Sequence, residues 1–516
     1  MQPSIISRLA PGLLLIISLQ VLTAPAIRAD DDDEDKCRRL EAPRLFGTKT
    51  LYADARKALR RLDHEDHLPK PFDDDSLEHE HKDLLKDGCS PVGFYFMGRH
   101  SARFPDGEDI EQYNKDLLAL IDKMKNAPQV RGGCRKRRQE FLDWRPVMEA
   151  KQDNLITELG GQEEREIARR FKHLYPEFFD ATKTDIKIGV TKKLRTAQTG
   201  SEFLKEVDGL NLDESCKATP SNDPFQRDYN VDKVLEAACY KYLTKNHEAS
   251  FLDFHKQCEQ ISGEEKIKDP LIERVKAPKL KERMLERVTR KLGLLDDNSN
   301  KDRNESEAPP PVSFEMLDSI WNMCKFETAM RNESIWCSLF GKKDIQMLEY
   351  IEDVNTYIKS AYGPKANARQ SCPVVGNLVE SFQEIIRMYE DGQQQHRKRA
   401  YFYFSHADPI KKLLAAFGMF KDDESFSPKQ IEKFESDLKM PKKRHWRSSL
   451  ISPFSANLAF VLYRCPRKFK VLASVTEQPV KLGGCKDTDC NIQRFMDTYS
   501  NMRDDCNLNE ICKRPS

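Results

Sequence analysis

The stretch Val92-Gly93-Phe94-Tyr95-Phe96-Met97-Gly98-Arg99-His100-Ser101-Ala102-Arg103-Phe104-Pro105 decides the fold. Its first six residues are apolar and aromatic, framed by Pro91 and Gly98, and short enough for a buried strand. Arg99, His100 and Arg103 follow directly. Open α/β sheets bind ligands beyond the carboxyl ends of their strands. Guanidinium groups suit phosphate because they carry a permanent charge and a fork of donors. A histidine between them has a neutral ring nitrogen able to attack phosphorus and form a covalent intermediate. Nearby arginines disfavour its protonation. On chemistry alone, the same cluster reads equally well as a charged surface group.

Working outward, a second strong strand, Tyr401-Phe402-Tyr403-Phe404, runs into Ser405-His406-Ala407-Asp408 about 300 residues later. The helix expected after it, from Ile410 through Leu414 to Phe417, stops at Gly418 and points backbone donors at an anion. Ile186, Ile188 and Val190 alternate as a strand, with Leu194-Arg195-Thr196 just beyond. Further strands are expected over Leu458 to Tyr463 and Phe469 to Val475. Apolar residues at Ile110, Tyr113, Leu117, Ile121 and Met124 mark one helix, and Ile167, Phe171 and Leu174 another, closed by Pro176. Residues 200–395 read mostly as helices and loops, with an evident loop from Asp296 to Val312. Strands at both ends with a helix-rich stretch between predict an α/β core carrying an inserted helical cap, with a cleft between them.

Arg99 to Pro105 resembles the Arg-His-Gly-x-Arg-x-Pro signature of the histidine phosphatase superfamily, acid phosphatase and phytase branch, and His406-Ala407-Asp408 resembles its second half. Arg195 looks like the family's third phosphate-binding arginine. Leu155-Ile156-Thr157-Glu158-Leu159-Gly160-Gly161-Gln162 resembles the stretch preceding a core helix in these enzymes. Phe417-Gly418, Lys442-Lys443-Arg444-His445-Trp446-Arg447, Pro453-Phe454-Ser455-Ala456-Asn457-Leu458 and Thr476-Glu477-Gln478-Pro479-Val480 resemble the inositol polyphosphate phosphatases of that branch. The resemblance covers roughly residues 85–515, the cap only loosely.

This resemblance implies a central mixed sheet flanked by helices. It makes His100 the nucleophile, and Arg99, Arg103, Arg195 and His406 the groups that hold the phosphoryl oxygens. Asp408 would protonate the leaving alkoxide and then activate water. The expected partner is a small-molecule polyphosphate, with no cofactor and no metal, since arginine and histidine supply the positive charge. Lys192 and Lys193 are expected near more distant phosphates. Two departures stand out. Ser101 occupies the family's glycine position, which is costly if that position needs a positive φ. Asp408 stands where the inositol polyphosphate branch usually has glutamate, one methylene longer. The alternatives are a broad acid phosphatase and a catalytically silent phosphate-binding protein of the same fold.

Composition sets the frame. The 516 residues are 39% hydrophobic and 33% charged, enough apolar material for a sizeable core. With 85 Lys and Arg against 84 Asp and Glu, a general nucleic-acid-binding surface is not indicated. After residue 30 no apolar run is long enough to span a membrane. Arg8, the apolar run Leu13 to Leu22, then Ala24, Ala26 and Ala29 have the order of a secretory signal peptide cleaved after Ala26 or Ala29. All 14 cysteines lie downstream and are expected to form disulfides in an oxidising lumen. Asn304 and Asn332 begin glycosylation acceptors. The ending Lys513-Arg514-Pro515-Ser516 is neither a retention tetrapeptide nor a lipid-anchor tail. A secreted or lumenal address follows.

The expected organisation is a signal peptide at 1–29 and a polar segment at 30–88. The core comprises 89–109, 151–205 and 396–516, and the cap 110–150 and 206–395. His64, His67, His79 and His81 lie among carboxylates in a segment read as solvated, a metal site being the other reading. The basic clusters Arg131–Arg138 and Lys442–Arg447 read as solvated faces, as extensions of the positive field toward a polyanion, or as a heparin-like binding surface.

Overall fold

A computed structural model describes residues 44–65, 76–127, 134, 137–210, 249–256, 270–275, 278–295, 311–391 and 397–513. The deciding stretch is strand β1 (Ser90–Arg99), buried along all but its first residue. The other strands are β2 (Thr184–Val190), β3 (Lys398–Ser405), β4 (Asn457–Cys465), β5 (Lys468–Val475), β6 (Gln478–Val480) and β7 (Asp489–Asn491). The sheet order is β2-β3-β1-β4-β5-β6, with β7 also on β5. β2, β3 and β1 are parallel, and β4 runs antiparallel to β1. The sheet is therefore mixed, as expected, and its parallel part sends three strand ends in one direction.

The helices that position the site are, in chain order, α1 (Tyr52–Glu65), α2 (Leu77–Lys86), α3 (Gly107–Asn126), α4 (Glu158–Leu174), α5 (Leu194–Leu204), α6 (Phe314–Arg331), α7 (Lys342–Ser360), α8 (Cys372–Glu390), α9 (Ala407–Ala416) and α10 (Ile492–Asp504). Alternation along β1 divides the core. Phe94 and Phe96 join Phe402, Phe404 and Val461 on one face, covered by Phe171 of α4 and Phe203 of α5. Tyr95 and Met97 join Tyr401, Tyr403 and Leu462 on the other, covered by Phe382 of α8, Ile410 of α9 and Phe495 of α10. Full burial of each such aromatic is worth about 2–3 kcal/mol. Both faces of β1 are covered, which explains its near-continuous apolar sequence. Cys372–Cys506 ties α8 to the segment after α10.

Among the described residues the other disulfides are Cys89–Cys465, Cys324–Cys337 and Cys485–Cys490. No described helix is long and apolar enough to cross a membrane. The signal-peptide stretch and Asn304 lie outside the described residues. Asn332 is exposed, in the left-handed conformation at the C-cap of α6.

The reading of the polar segment before residue 88 as solvated needs correction. Residues 77–86 form α2, capped by Ser76, with Leu77, His81 and Leu84 buried. His81 Nδ1 lies 2.7 Å from the Tyr463 hydroxyl, and its ring packs edge-on to Tyr175. Its spacing from Leu77 and Leu84 is that of one helical face. His79 is exposed and pairs with Asp83. His64 falls in the last turn of α1, and His67 lies outside the described residues.

Candidate active site

Three parallel strand ends and two helix starts meet at one point. β1 ends in Arg99 and leads to His100, while β3 ends in Ser405 and leads to His406. β2 leads through Thr191 into α5, whose first turn carries Arg195. His406 is the N-cap residue of α9, and Asp408 stands in that helix's first turn. The parallel register pairs Arg99 with Ser405, and His100 N–H donates to the Ser405 carbonyl at 2.9 Å. The two histidine rings lie 5.6 Å apart between centroids.

The loop after β1 is held from below. Thr157, the N-cap of α4, donates its N–H to the Ala102 carbonyl at 2.8 Å. A Cβ on Gly160 would fall 2.8 Å from the Ala102 nitrogen, so only glycine lets the start of α4 pack there. The Thr-x-x-Gly pattern thus supports the loop that carries the arginines. Ser101 removes one concern raised by the sequence, because it is not among the residues with positive φ. Its N–H donates to Thr199 Oγ at 3.0 Å, and its hydroxyl lies 3.3 Å from the same oxygen.

His100 is 4% exposed, and its Nδ1 sits 3.0 Å from the Ser101 carbonyl. A carbonyl only accepts, so this contact places the ring proton on Nδ1 and leaves the Nε2 lone pair free. Burial, then Arg99, Arg195, His406 and Arg103, hold its pKa well below the ordinary histidine range. The ring is neutral, the state that a nucleophile needs.

Arg99 is nearly inaccessible, with Nη1 donating to the carbonyls of Thr48 (2.6 Å) and Ser452 (2.8 Å). Its guanidinium carbon lies 4.8 Å from the centroid of the Phe454 ring. Burial, with Arg103 adding to it, pushes Arg99 down to about 9. Arg103 Nη1 donates to the Phe104 carbonyl, and Arg195 Nη1 to Asn154 Oδ1. His406 Nε2 lies 3.0 Å from Thr191 Oγ, and burial holds its pKa well below the ordinary value. Four buried nitrogens remain. Nε of Arg99, Arg103 and Arg195 and Nδ1 of His406 have no hydrogen-bond partner among the described residues. Unpaired buried polar groups are costly unless a ligand satisfies them, and these four belong to the groups expected to hold phosphoryl oxygens.

Asp408 Oδ1 accepts from Lys411 Nζ at 2.7 Å and from the Ser360 hydroxyl at 3.0 Å. The Lys411 ammonium, working against partial burial, holds the carboxyl well below its usual range. Asp408 is therefore a carboxylate before substrate arrives.

Other expected cations fall elsewhere. Lys192 and Lys193 are exposed in the turn between β2 and α5. The cluster at 442–447 is not one solvated face. Lys442 and Lys443 are exposed, but Arg444 is buried with Glu349 (2.9 Å) and Asp353 (2.8 Å), and Arg447 also binds Glu349. A sequence window shows the charges but not the α7 carboxylates that neutralise them. Of the other cluster, Arg137 pairs with Glu140 and Arg138 donates to the Leu292 carbonyl. Residues 131–133, 135 and 136 lie outside the described residues.

The site also contains residues that no motif announced. His255 lies with its ring centroid 6.0 Å from that of His406 and has a buried Nδ1 without a hydrogen-bond partner among the described residues. Burial pushes it down to about 4. It arrives through residues 249–256, which join β2 where Ala249 N–H donates to the Val190 carbonyl.

The family profile of the histidine phosphatase superfamily (branch 2) matches residues 95–481. Multiple inositol polyphosphate phosphatase 1 of Homo sapiens is 25% identical, across 98% of this chain and 97% of its own. The Gallus gallus protein of the same name is 25% identical, across 91% and 92%. A phytase from D. castellii superposes with a TM-score of 0.56 at 15% identity, covering 83% of this chain and 82% of its own. Bifidobacterium longum multiple inositol polyphosphate phosphatase, solved with inositol hexasulfate, gives 0.51 at 12%, covering 87% and 96%. These structural likenesses are of fold.

Proposed function

Because the chain belongs to the histidine phosphatase superfamily (branch 2), we propose that it removes phosphate from inositol polyphosphates of the phytate type, through a phosphohistidine on His100, in a secreted or lumenal setting. The observation that carries the reading is the set of buried Nε donors of Arg99, Arg103 and Arg195, with His406 Nδ1, that have no hydrogen-bond partner among the described residues and lie around a neutral His100. Three phosphoryl oxygens and a developing transition-state charge would satisfy them. The names of the relatives support inositol polyphosphates as the substrate class. The disulfides support the oxidising compartment.

In the first step the His100 Nε2 lone pair forms the N–P bond as the bond to the leaving oxygen breaks. Asp408 gives that oxygen its proton. Lys411 opposes protonation of Asp408, and the arriving phosphate, itself anionic, counters Lys411 and lets Asp408 take the proton that a monoanionic substrate brings. In the second step water attacks phosphorus, the N–P bond breaks, and the Asp408 carboxylate accepts the water proton. Arg99, Arg103, Arg195 and His406 hold the oxygens throughout.

Purified protein assayed for phosphate release from phytate and from p-nitrophenyl phosphate tests the reading. Higher kcat/KM on phytate supports it. Equal efficiency favours the broad acid phosphatase, and no release from either favours the silent protein.

A further inference from the structure

The turn Gly47–Lys49 leans on the site from outside the matched region. Gly47 has φ +58°, and a Cβ there would overlap the Glu352 carboxylate, so only glycine lets the turn lie against α7. Thr48 gives both its N–H and its hydroxyl to Glu352 Oε1, while its carbonyl accepts from Arg99 Nη1. Lys49 is the next residue. From α6 comes Lys325, its ammonium 5.3 Å from the centroid of the Trp321 ring, and its neighbour Phe326 lies under the Arg103 guanidinium at 6.0 Å. Lys49 and Lys325 are both partly buried, and neither ammonium has a hydrogen bond or close ion pair among the described residues.

The charges do not balance. Lys49 has one carboxylate near it, Glu352, which Thr48 already engages twice, against three cations, Arg99, Arg103 and Lys325. Burial pushes Lys49 down to about 7; Glu352 opposes this, while Arg99, Arg103 and Lys325 reinforce it. A further anion there would relieve the crowding of cations at Lys49.

We propose that Lys49 and Lys325 form a second anion subsite beside the Arg99–Arg103 pocket, which takes a phosphate of the substrate other than the one being cleaved. This rests on the reading of the site as a phosphatase pocket, and it names the feature that separates polyphosphates from simple monoesters. Interactions with a phosphate that does not react act in ground and transition states alike, so they appear in KM more than in kcat.

The test titrates the full chain with inositol hexasulfate by calorimetry at about pH 7.5, in two buffers of different ionisation enthalpy. KM and kcat for phytate and p-nitrophenyl phosphate are measured beside it. Lys49→Met and Lys325→Met should each weaken hexasulfate binding and raise the phytate KM on the order of tenfold, as expected for one charged contact. The p-nitrophenyl phosphate KM should stay within about twofold. Wild type should take up more proton on binding than Lys49→Met, because an anion returns Lys49 to its charged state. Lys49→Arg and Lys325→Arg should retain most of the affinity. Unchanged hexasulfate affinity in both methionine variants, equal losses on both substrates, or arginine variants as weak as methionine would each overturn the subsite. Tight hexasulfate binding without phosphate release from phytate would count against the proposed activity, while the affinity comparison would still decide the subsite.

Discussion

His100 and His406 face each other across 5.6 Å, at the ends of two neighbouring parallel strands. One has its Nδ1 on a backbone carbonyl, and the other has a buried Nδ1 without a partner among the described residues. In the proposed mechanism the same residue type serves two ends: an attacking lone pair and a partner for phosphoryl oxygen.

Neutrality of His100 has a consequence for pH. Its pKa lies well below the ordinary value, so acidification through pH ~6.5 does not protonate it. The profile of kcat/KM should show no loss of activity centred near 6.5 on the acid side. A loss there that moves with changes around His100 would mean that the nucleophile titrates in that range.

Asp408 and Lys411 make a second prediction. Asp408→Asn should reduce turnover of phytate by about 100-fold or more, and of p-nitrophenyl phosphate much less, since its leaving group needs little protonation. Lys411→Met removes the cation that lowers the Asp408 pKa, so the carboxyl holds its proton to higher pH. The alkaline limb of kcat, which reports the substrate complex, should then move up by about one unit. A limb that stays in place would detach Lys411 from the acid.

Ser101 fits where the resemblance implied strain. Ser101→Gly should cost about 0.5–1 kcal/mol, through lost contacts with Thr199 and greater freedom of the unfolded chain. Thermal denaturation would show this as a Tm lowered by a few degrees. A raised Tm would mean that the serine is strained.

Arg444→Met should cost about 3–5 kcal/mol, because it leaves Glu349 and Asp353 buried with reduced compensation. Denaturant unfolding checks the loss. A selective rise in phytate KM without destabilisation would return Arg444 to the substrate field.

These cases show what the sequence could convey. β1, β3 and their histidines were legible because buried parallel strands are continuous apolar runs and the charged residues at their ends break the pattern abruptly. The Thr157-to-Gly160 stretch was legible as a motif, but its role as a support under Ala102 needed the fold. Lys49, Lys325 and His255 were not legible, since each comes from a distant segment and nothing in its local pattern marks it. Arg444 failed oppositely: a basic run looked exposed because its carboxylate partners lie about 90 residues away on α7. The buried face of α2 was readable from Leu77, His81 and Leu84, but the surrounding charges concealed it.

The proposed reaction turns on covalent catalysis by His100. Wild-type protein mixed with phytate, quenched at alkaline pH within the first turnovers and digested, should yield a phosphorylated peptide whose modified residue is His100. The label should disappear on acid treatment, and His100→Ala should yield neither the peptide nor turnover. Phosphate release by His100→Ala at near wild-type rate, or turnover in wild type with no phosphohistidine at position 100, would contradict the account.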